Sequence, residues 1–373
     1  MRSRTSSPIF LAALLVGCGS GSGTGAVDAG QVDARPPSRD ASSGSADARP
    51  KSRDARSDAS DAGTRASDAS DGGYVLLFGG SGPCTNCAGV LDDTWTWDGA
   101  TWTQHNTSGP SARRGASLAT VGGTAVLFAG EPVAYPWIVA DLNDTWTWDG
   151  AKWAQLDVAG PGVRCFASAS TLNGLVVLFG GLNHDPVGTN DELVSLNDTW
   201  TWNGLGWTVQ TPPVLPGVRS KAGTATLGDA VVLFGGAVAN DGMWVVLSDT
   251  WTWNGTGWTQ QNVVGPSARG TAMATLHDTV VLFGGFYDST YPIDSLGDTW
   301  TWDGSTWTEQ NVPGPSPRAG HAMATLNDTV VLFGGVDLNG GALADTWTWD
   351  GHAWTQHDVV GPSPRSDTAM TGL

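Results

Sequence analysis

One pattern of apolar and polar positions recurs along most of the chain. In residues 318–357 it reads "RAGHAMATLNDTVVLFGGVDLNGGALADTWTWDGHAWTQH". His-Ala-Met-Ala-Thr-Leu is a run of small and apolar residues, suited to a strand in crowded surroundings. Asn-Asp-Thr is a turn signal. Val-Val-Leu-Phe is a continuous apolar run, as expected of a strand buried on both faces. Gly334-Gly335 ends that strand and permits positive φ or close approach of another backbone. After a loop, the alternation in Asp-Thr-Trp-Thr-Trp places Trp347 and Trp349 on one face and Thr346 and Thr348 on the other. Asp350-Gly351 predicts a tight hairpin, and Ala-Trp-Thr-Gln returns as a fourth strand.

The unit occurs six times. Asp-Thr-Trp-Thr-Trp begins at Asp93, Asp144, Asp198, Asp249, Asp298 and Asp345, and a later Trp follows at 102, 153, 207, 258, 307 and 354. Gly pairs stand at 79–80, 180–181, 235–236, 284–285 and 334–335, with Ala129-Gly130 as a mild departure. Four antiparallel strands with a period of about 50 residues predict one propeller blade. This arrangement resembles the Kelch repeat: an Arg, a Gly-Gly closing the second strand, Asn-Asp-x-Trp with an aromatic two residues on, and a later Trp. The resemblance covers residues 74–373 and implies an all-β, six-bladed propeller of four-stranded blades. An aromatic side chain buries roughly 150–250 Å², so three Trp per unit are expected to pack blade on blade rather than to bind a cofactor.

Tyr74 leads directly into Val-Leu-Leu-Phe-Gly-Gly with no first strand before it, while Arg365–Leu373 matches the first strand of the other units. Residues 366–372 are therefore predicted to join 75–80 in the blade that holds Trp95 and Trp102, which removes an open edge. Arg113, Arg164, Arg219, Arg269, Arg318 and Arg365 each stand at the start of a first strand, beside the Gly pair and the Asp that opens the third. Across about two strand spacings, roughly 9–10 Å, each guanidinium reaches its blade's Asp: Arg318 to Asp345, Arg365 to Asp93. The functional alternative is an Arg ring that binds anions at the channel mouth.

The first 73 residues read differently. Arg2 and Arg4 precede an apolar run, Pro8 to Val16, too short to span a bilayer as a mature helix. It ends in Leu-Val-Gly-Cys and resembles the lipobox of bacterial lipoproteins. That resemblance implies cleavage after residue 17 and lipid on Cys18, and Gly19 in place of Asp points to the outer membrane. Residues 18–73 contain no aromatic residue and few apolar ones, so a disordered tether is expected, spanning roughly 40 Å as a flexible coil.

Formal charge is −18, and residues 74–373 carry the imbalance, with 27 acidic and nine basic side chains. Such a surface repels phosphate backbones, which excludes nucleic acid as a partner. Cys84 and Cys87 are expected to form a local disulfide in an exported protein; Cys165, at a first strand, is expected to be buried. No metal site, cofactor or catalytic set emerges. A copper oxidase on a related propeller needs two Tyr and two His, and Tyr74, Tyr135, Tyr287, Tyr291 and six scattered His offer no such set. A six-bladed sugar mutarotase remains the enzymatic alternative, on fold analogy alone.

Turns between first and second strands and between third and fourth are short and nearly identical, which makes one face uniform. The other face carries the loops 81–92, 131–143, 182–197, 237–248, 286–297 and 336–344. Tyr135, Trp137, Trp244, Phe286, Tyr287 and Tyr291 fall there, with His184, Asp185, Asp191, Glu192 and Asp288 near them in sequence. Aromatic planes beside carboxylates suit a protein or glycan ligand. The expectation is a monomeric, non-catalytic binding module, anchored to the membrane by lipid alone.

Overall fold

The computed structural model describes residues 73–82, 89–132, 141–184, 193–240, 243–288 and 294–373. The leader, Cys18, the linker up to residue 72 and the Cys84–Cys87 pair lie outside them. The chain forms six antiparallel four-stranded sheets. It opens with β1 (Val75–Ser81), β2 (Val90–Trp97) and β3 (Trp102–His105). The second blade is β4 (Ser117–Val121), β5 (Thr124–Gly130), β6 (Leu142–Trp148) and β7 (Trp153–Leu156). The third is β8 (Ser168–Leu172), β9 (Leu175–His184), β10 (Leu193–Trp202) and β11 (Trp207–Gln210). In the fourth, β12 (Gly223–Leu227) and β13 (Ala230–Phe234) are followed by a separate hairpin, β14 (Ala237–Asn240) and β15 (Met243–Val246), before β16 (Thr250–Trp253) and β17 (Trp258–Gln261). The fifth holds β18 (Gly270–Leu276), β19 (Thr279–Asp288), β20 (Asp294–Trp302) and β21 (Trp307–Gln310). The sixth holds β22 (Ala322–Leu326), β23 (Thr329–Phe333), β24 (Thr346–Trp349) and β25 (Trp354–His357). Finally β26 (Ala369–Gly372) returns to the first sheet, in the order β26-β1-β2-β3.

Closure follows from that return. Val75 to Phe78 pair with Gly372 to Ala369, Ser81 bridges Ser366, and Tyr74 and Leu373 exchange both backbone hydrogen bonds. The inner strands β26, β4, β8, β12, β18 and β22 touch one another in succession round the axis. Six strands converging on one line leave little room, which is why the inner positions are Ala, Ser, Thr and Met. Their threonines tie the blades together: Thr120, Thr171, Thr226, Thr275 and Thr325 each donate a hydroxyl to a carbonyl of the preceding blade.

The core is six slabs between blades rather than one interior. Trp97 and Val75 of the first blade, for example, pack on Phe333 and Leu326 of the sixth. The second Trp of each pair (Trp97, Trp148, Trp202, Trp253, Trp302, Trp349) is fully buried. The late Trp crosses the junction: Trp102, Trp153, Trp207, Trp258, Trp307 and Trp354 each donate the indole N–H to a Thr of the preceding blade, at 2.9–3.0 Å. All six junctions are latched this way. The indole N–H of Trp97, Trp202, Trp253, Trp302 and Trp349 meets no partner among the described residues. Each such group costs about 1–3 kcal/mol, a penalty that large apolar burial must exceed.

The Gly pairs mark close backbone approach between neighbours. At Gly79, with φ +62°, an added Cβ would lie 2.6 Å from the carbonyl oxygen of Arg113 in the next blade. Ala129 holds the corresponding position at φ 61° and accepts the strained left-handed conformation. Strand boundaries depart from the sequence expectation in two places. The regular inner strands begin four residues after each Arg except in the fifth blade, where β18 follows Arg269 directly. Several expected loops are partly strands: β9 and β10 stay paired out to His184 and Leu193, β19 and β20 out to Asp288 and Asp294. A register shift beside the Gly pair lets the ladder bend and continue past it.

Removing residues 364–373 takes away the inner strand of the first blade and opens β1. Chemical unfolding followed by tryptophan fluorescence should then lose its single cooperative transition. Unchanged thermal stability in the truncated chain would show that closure contributes nothing.

Candidate functional site

The side chain of each repeated Arg bonds within its own blade. Arg113, Arg164, Arg219, Arg269, Arg318 and Arg365 place Nη1 2.5–2.7 Å from Asp144, Asp198, Asp249, Asp298, Asp345 and Asp93 respectively, and Nη2 bonds the second carboxylate oxygen. Nη1 also donates to the carbonyl of the first residue of the Gly pair, and Nε to the carbonyl two residues back. The first Trp of each pair completes the carboxylate shell, its indole N–H 2.7 Å from Oδ2. Burial alone would raise these carboxyls; the Arg and Trp hydrogen bonds outweigh it and hold all six below the ordinary value. The guanidiniums are buried and each is already committed to its own blade's carboxylate.

The backbone beside each Arg builds the rim of the channel. Two residues after the Arg, at Gly115, Phe166, Lys221, Thr271, Gly320 and Asp367, the chain meets its neighbour head to tail. Gly115 N–H donates to Asp367, Phe166 to Gly115, Lys221 to Phe166, Thr271 to Lys221, and Asp367 to Gly320. Here, at one equivalent position in six blades, four side chains differ (Phe166, Lys221, Thr271 and Asp367) and two blades carry glycine. Lys221 Nζ lies 4.1 Å from the Phe166 ring centroid and 3.6 Å from Asp367. Arg114 pairs with the buried Glu131 at 2.8 Å and approaches Asp367 at 3.9 Å. Phe286 lies within 5.7 Å of Lys221 and occupies the space a side chain at Gly270 would need.

A second cluster lies at the junction of the second and third blades. His184 Nδ1 is 3.0 Å from Asp141 Oδ2 and 3.8 Å from Cys165 Sγ, and the His184 backbone N–H also donates to Asp141. The Cys165 thiol points at the Leu182 carbonyl. Burial, with Asp141 and Glu131 adding to it, pushes that thiol well above its ordinary range. Burial would lower His184, but the Asp141 hydrogen bond prevails and raises it.

The protruding hairpins stand side by side on this face: β10 contacts β14, and β15 contacts β19. Trp244 is half-buried on β15, and Val194, Val245 and Tyr287 are exposed along the ridge. Of the sequence candidates, the structure therefore places His184 in the Asp141 cluster, Trp244 and Tyr287 on the ridge, and Phe286 at the rim. Tyr135, Trp137, Asp185, Asp191, Glu192, Tyr291 and the side chain of Asp288 lie outside the described residues. Sequence reasoning missed Arg114, Glu131, Asp141, Phe166, Lys221 and Asp367. The signal available was the variable position one or two residues after each repeated Arg, inside a stretch that otherwise looks structural.

Residues 221–372 match the KLHDC2/KLHL20/DRC7 Kelch-repeats domain. The match spans the fourth, fifth and sixth blades and the closing strand; the earlier blades carry the same clamp and latch. No curated protein matches the chain. Kelch propellers are commonly protein-binding modules.

His321 gives the pH test of this inner wall. It is buried, both ring nitrogens lack a partner among the described residues, and burial followed by the Arg318 charge lowers it to about 3. Its contribution is full above the ordinary value of about 6.5 and falls as pH drops toward the folded value, because only the unfolded chain takes up the proton. At pH 5 the deficit is about 2 kcal/mol. His321→Ala, with the residue that four other blades carry here (Ala116, Ala167, Ala222, Ala272), should flatten the stability–pH curve between pH 7 and 5 by that amount. Parallel urea-unfolding curves for variant and parent would refute it.

Proposed function

We propose that the chain is a cell-envelope lipoprotein whose Kelch propeller holds a partner protein on the long-loop face. The observation that carries this reading is the divergence of the rim. Six blades keep the same Arg, Asp, Gly and Trp for packing, yet equivalent rim positions carry Phe166, Lys221, Thr271 and Asp367 with Arg114 and Glu131 beside them. A surface serving only closure has no use for four different side chains at one position that two other blades fill with glycine. Beside the rim, the ridge adds aromatic and apolar side chains, the residue types that anchor interfaces. A charged rim next to such anchors favours specificity and guided association.

Support for envelope anchoring comes from the leader alone: Arg2 and Arg4, the apolar run, and Leu-Val-Gly-Cys ending at Cys18. Cys18→Ser should move the chain from the membrane to the soluble fraction and abolish incorporation of labelled palmitate. Persistent labelling in that variant would remove the lipoprotein part of the proposal.

The binding part is tested with the full chain against envelope proteins by cross-linking and against a glycan panel. For the ligand found, Trp244→Ala and Lys221→Glu should each weaken binding by roughly 1–3 kcal/mol, while Ser305→Trp on the opposite face leaves it intact. Full affinity in the double variant, or loss from Ser305→Trp alone, would put the site on the wrong face. Binding confined to glycans, or anomerisation of a hexose or sialic acid abolished by a rim substitution, would replace the protein-binding reading with the carbohydrate one.

A further inference from the structure

We propose that Asp141, Cys165 and His184 form a binding site for one divalent transition-metal ion of the zinc class. Their ligand atoms, Asp141 Oδ, Cys165 Sγ and His184 Nδ1, all lie within 4.8 Å of one another. A tetrahedral zinc ion with Zn–S near 2.3 Å and Zn–N or Zn–O near 2.0–2.2 Å sets ligand-to-ligand edges of about 3.3–3.6 Å. The observed edges, 3.0 Å from nitrogen to Oδ2 and 3.8 Å from nitrogen to sulfur, bracket those values. Side-chain movements of a few tenths of an ångström along these two edges suffice.

The fold brings these three together for reasons unrelated to the repeat. Cys165 bridges Leu182 across the antiparallel pair, which puts His184, two residues on, at its diagonal. Asp141 enters from the second blade, one residue before β6. The equivalents of Cys165 in the other blades are Arg114, Ser220, Gly270, Ala319 and Ser366, so the backbone needs no thiol here. Nor does the geometry suit a nucleophile relay. In such a relay the imidazole uses one nitrogen for the nucleophile and the other for the carboxylate, whereas Nδ1 of His184 faces both. One nitrogen, one sulfur and one carboxylate converging on a common point is a ligand arrangement.

Binding balances in protons and charge. The Cys165 thiol releases its proton to solvent and leaves the Leu182 carbonyl. His184 gives up the Nδ1 proton that it donates to Asp141, which passes through solvent to Nε2 of the neutral ring, and offers the freed Nδ1 lone pair, while Asp141 exchanges that hydrogen bond for a metal bond. Thiolate and carboxylate together neutralise the dication. Cys165 and Asp141 are buried and the His184 side chain is one-fifth exposed, so the ion has a path in. Three protein ligands leave a fourth position for water or a donor from a bound partner. The ion would also join the second blade to the third, adding a link at a junction already held by its tryptophan latch.

The test titrates the full, untagged chain carrying Cys84→Ser and Cys87→Ser first with Co²⁺ and then with Zn²⁺. One equivalent of Co²⁺ should give a near-ultraviolet thiolate charge-transfer band that Zn²⁺ abolishes, and Zn²⁺ should raise the melting temperature. Cys165→Ser, which supplies the residue already present at 220 and 366, should remove the band and the thermal shift. Loss of an outer partner of a metal ligand costs roughly 10–100-fold in affinity, so Cys165→Ser and His184→Ala should each weaken zinc binding by more than about 10-fold. No charge-transfer band in the parent, or a smaller change in either variant, overturns the site. Asp141→Asn must also weaken binding; unchanged affinity there overturns the three-ligand assignment.

Discussion

A buried guanidinium joined to a carboxylate is the contact on which the rest of this propeller depends. In each blade one Arg spans from the first strand to the third, and its Asp takes both guanidinium nitrogens and a Trp indole. The same Arg uses its backbone on the neighbour: Arg113 N–H donates to Leu91, and its carbonyl accepts from Gly80, both in the preceding blade. One residue thus sets the blade's own width and its docking on the next. Removing one partner from such a pair leaves an uncompensated buried charge at a cost of about 3–5 kcal/mol. The pair also accounts for the glycines, since a side chain at Gly79 would collide with the Arg113 carbonyl that the clamp positions.

Around that contact the remaining forces sort by radius. Near the axis, where strands crowd, small residues and threonine hydroxyls link blade to blade. Further out, Val, Leu and Phe of the second strands meet the buried Trp of the third. At the outer strand the late Trp reaches back to a Thr of the preceding blade. The tryptophan shell is cyclic and the threonine hydroxyls link five of the six junctions, so no blade is terminal once β26 has paired with β1, and the edges that a linear array would expose are paired.

Binding chemistry appears where this cyclic logic has no hold. Rim residues next to the Arg have their backbone tied by hydrogen bonds at five of the six junctions and their side chains free to vary. Arg114, Phe166, Lys221 and Asp367 make contacts across blades that no single repeat contains. The Asp141–Cys165–His184 cluster likewise draws on two blades. Function on this scaffold therefore sits in departures from the repeat, held rigid by the parts that do not depart.

What could be read from the sequence alone follows from which interactions are local or repeated. Alternation within Asp-Thr-Trp-Thr-Trp, the Asp-Gly and Asn-Gly turns, the Gly pairs and the sixfold period are enough to specify four-stranded blades. The matching fragments at Tyr74–Gly80 and Arg365–Leu373 are enough to specify how the ring closes, because β pairing and strand order repeat in every blade. What only the tertiary structure decided are contacts with no periodic counterpart. Loops expected after the Gly pairs continue as ladders because a register shift lets the strands bend there. Lys221 meets Phe166 of the preceding blade and Asp367 of the first, and Asp141 meets Cys165 and His184 of the next blade, pairs separated by tens to more than a hundred residues in sequence. Such pairs arise from closing the ring, a global constraint that leaves no mark on the residues' own neighbours in the chain.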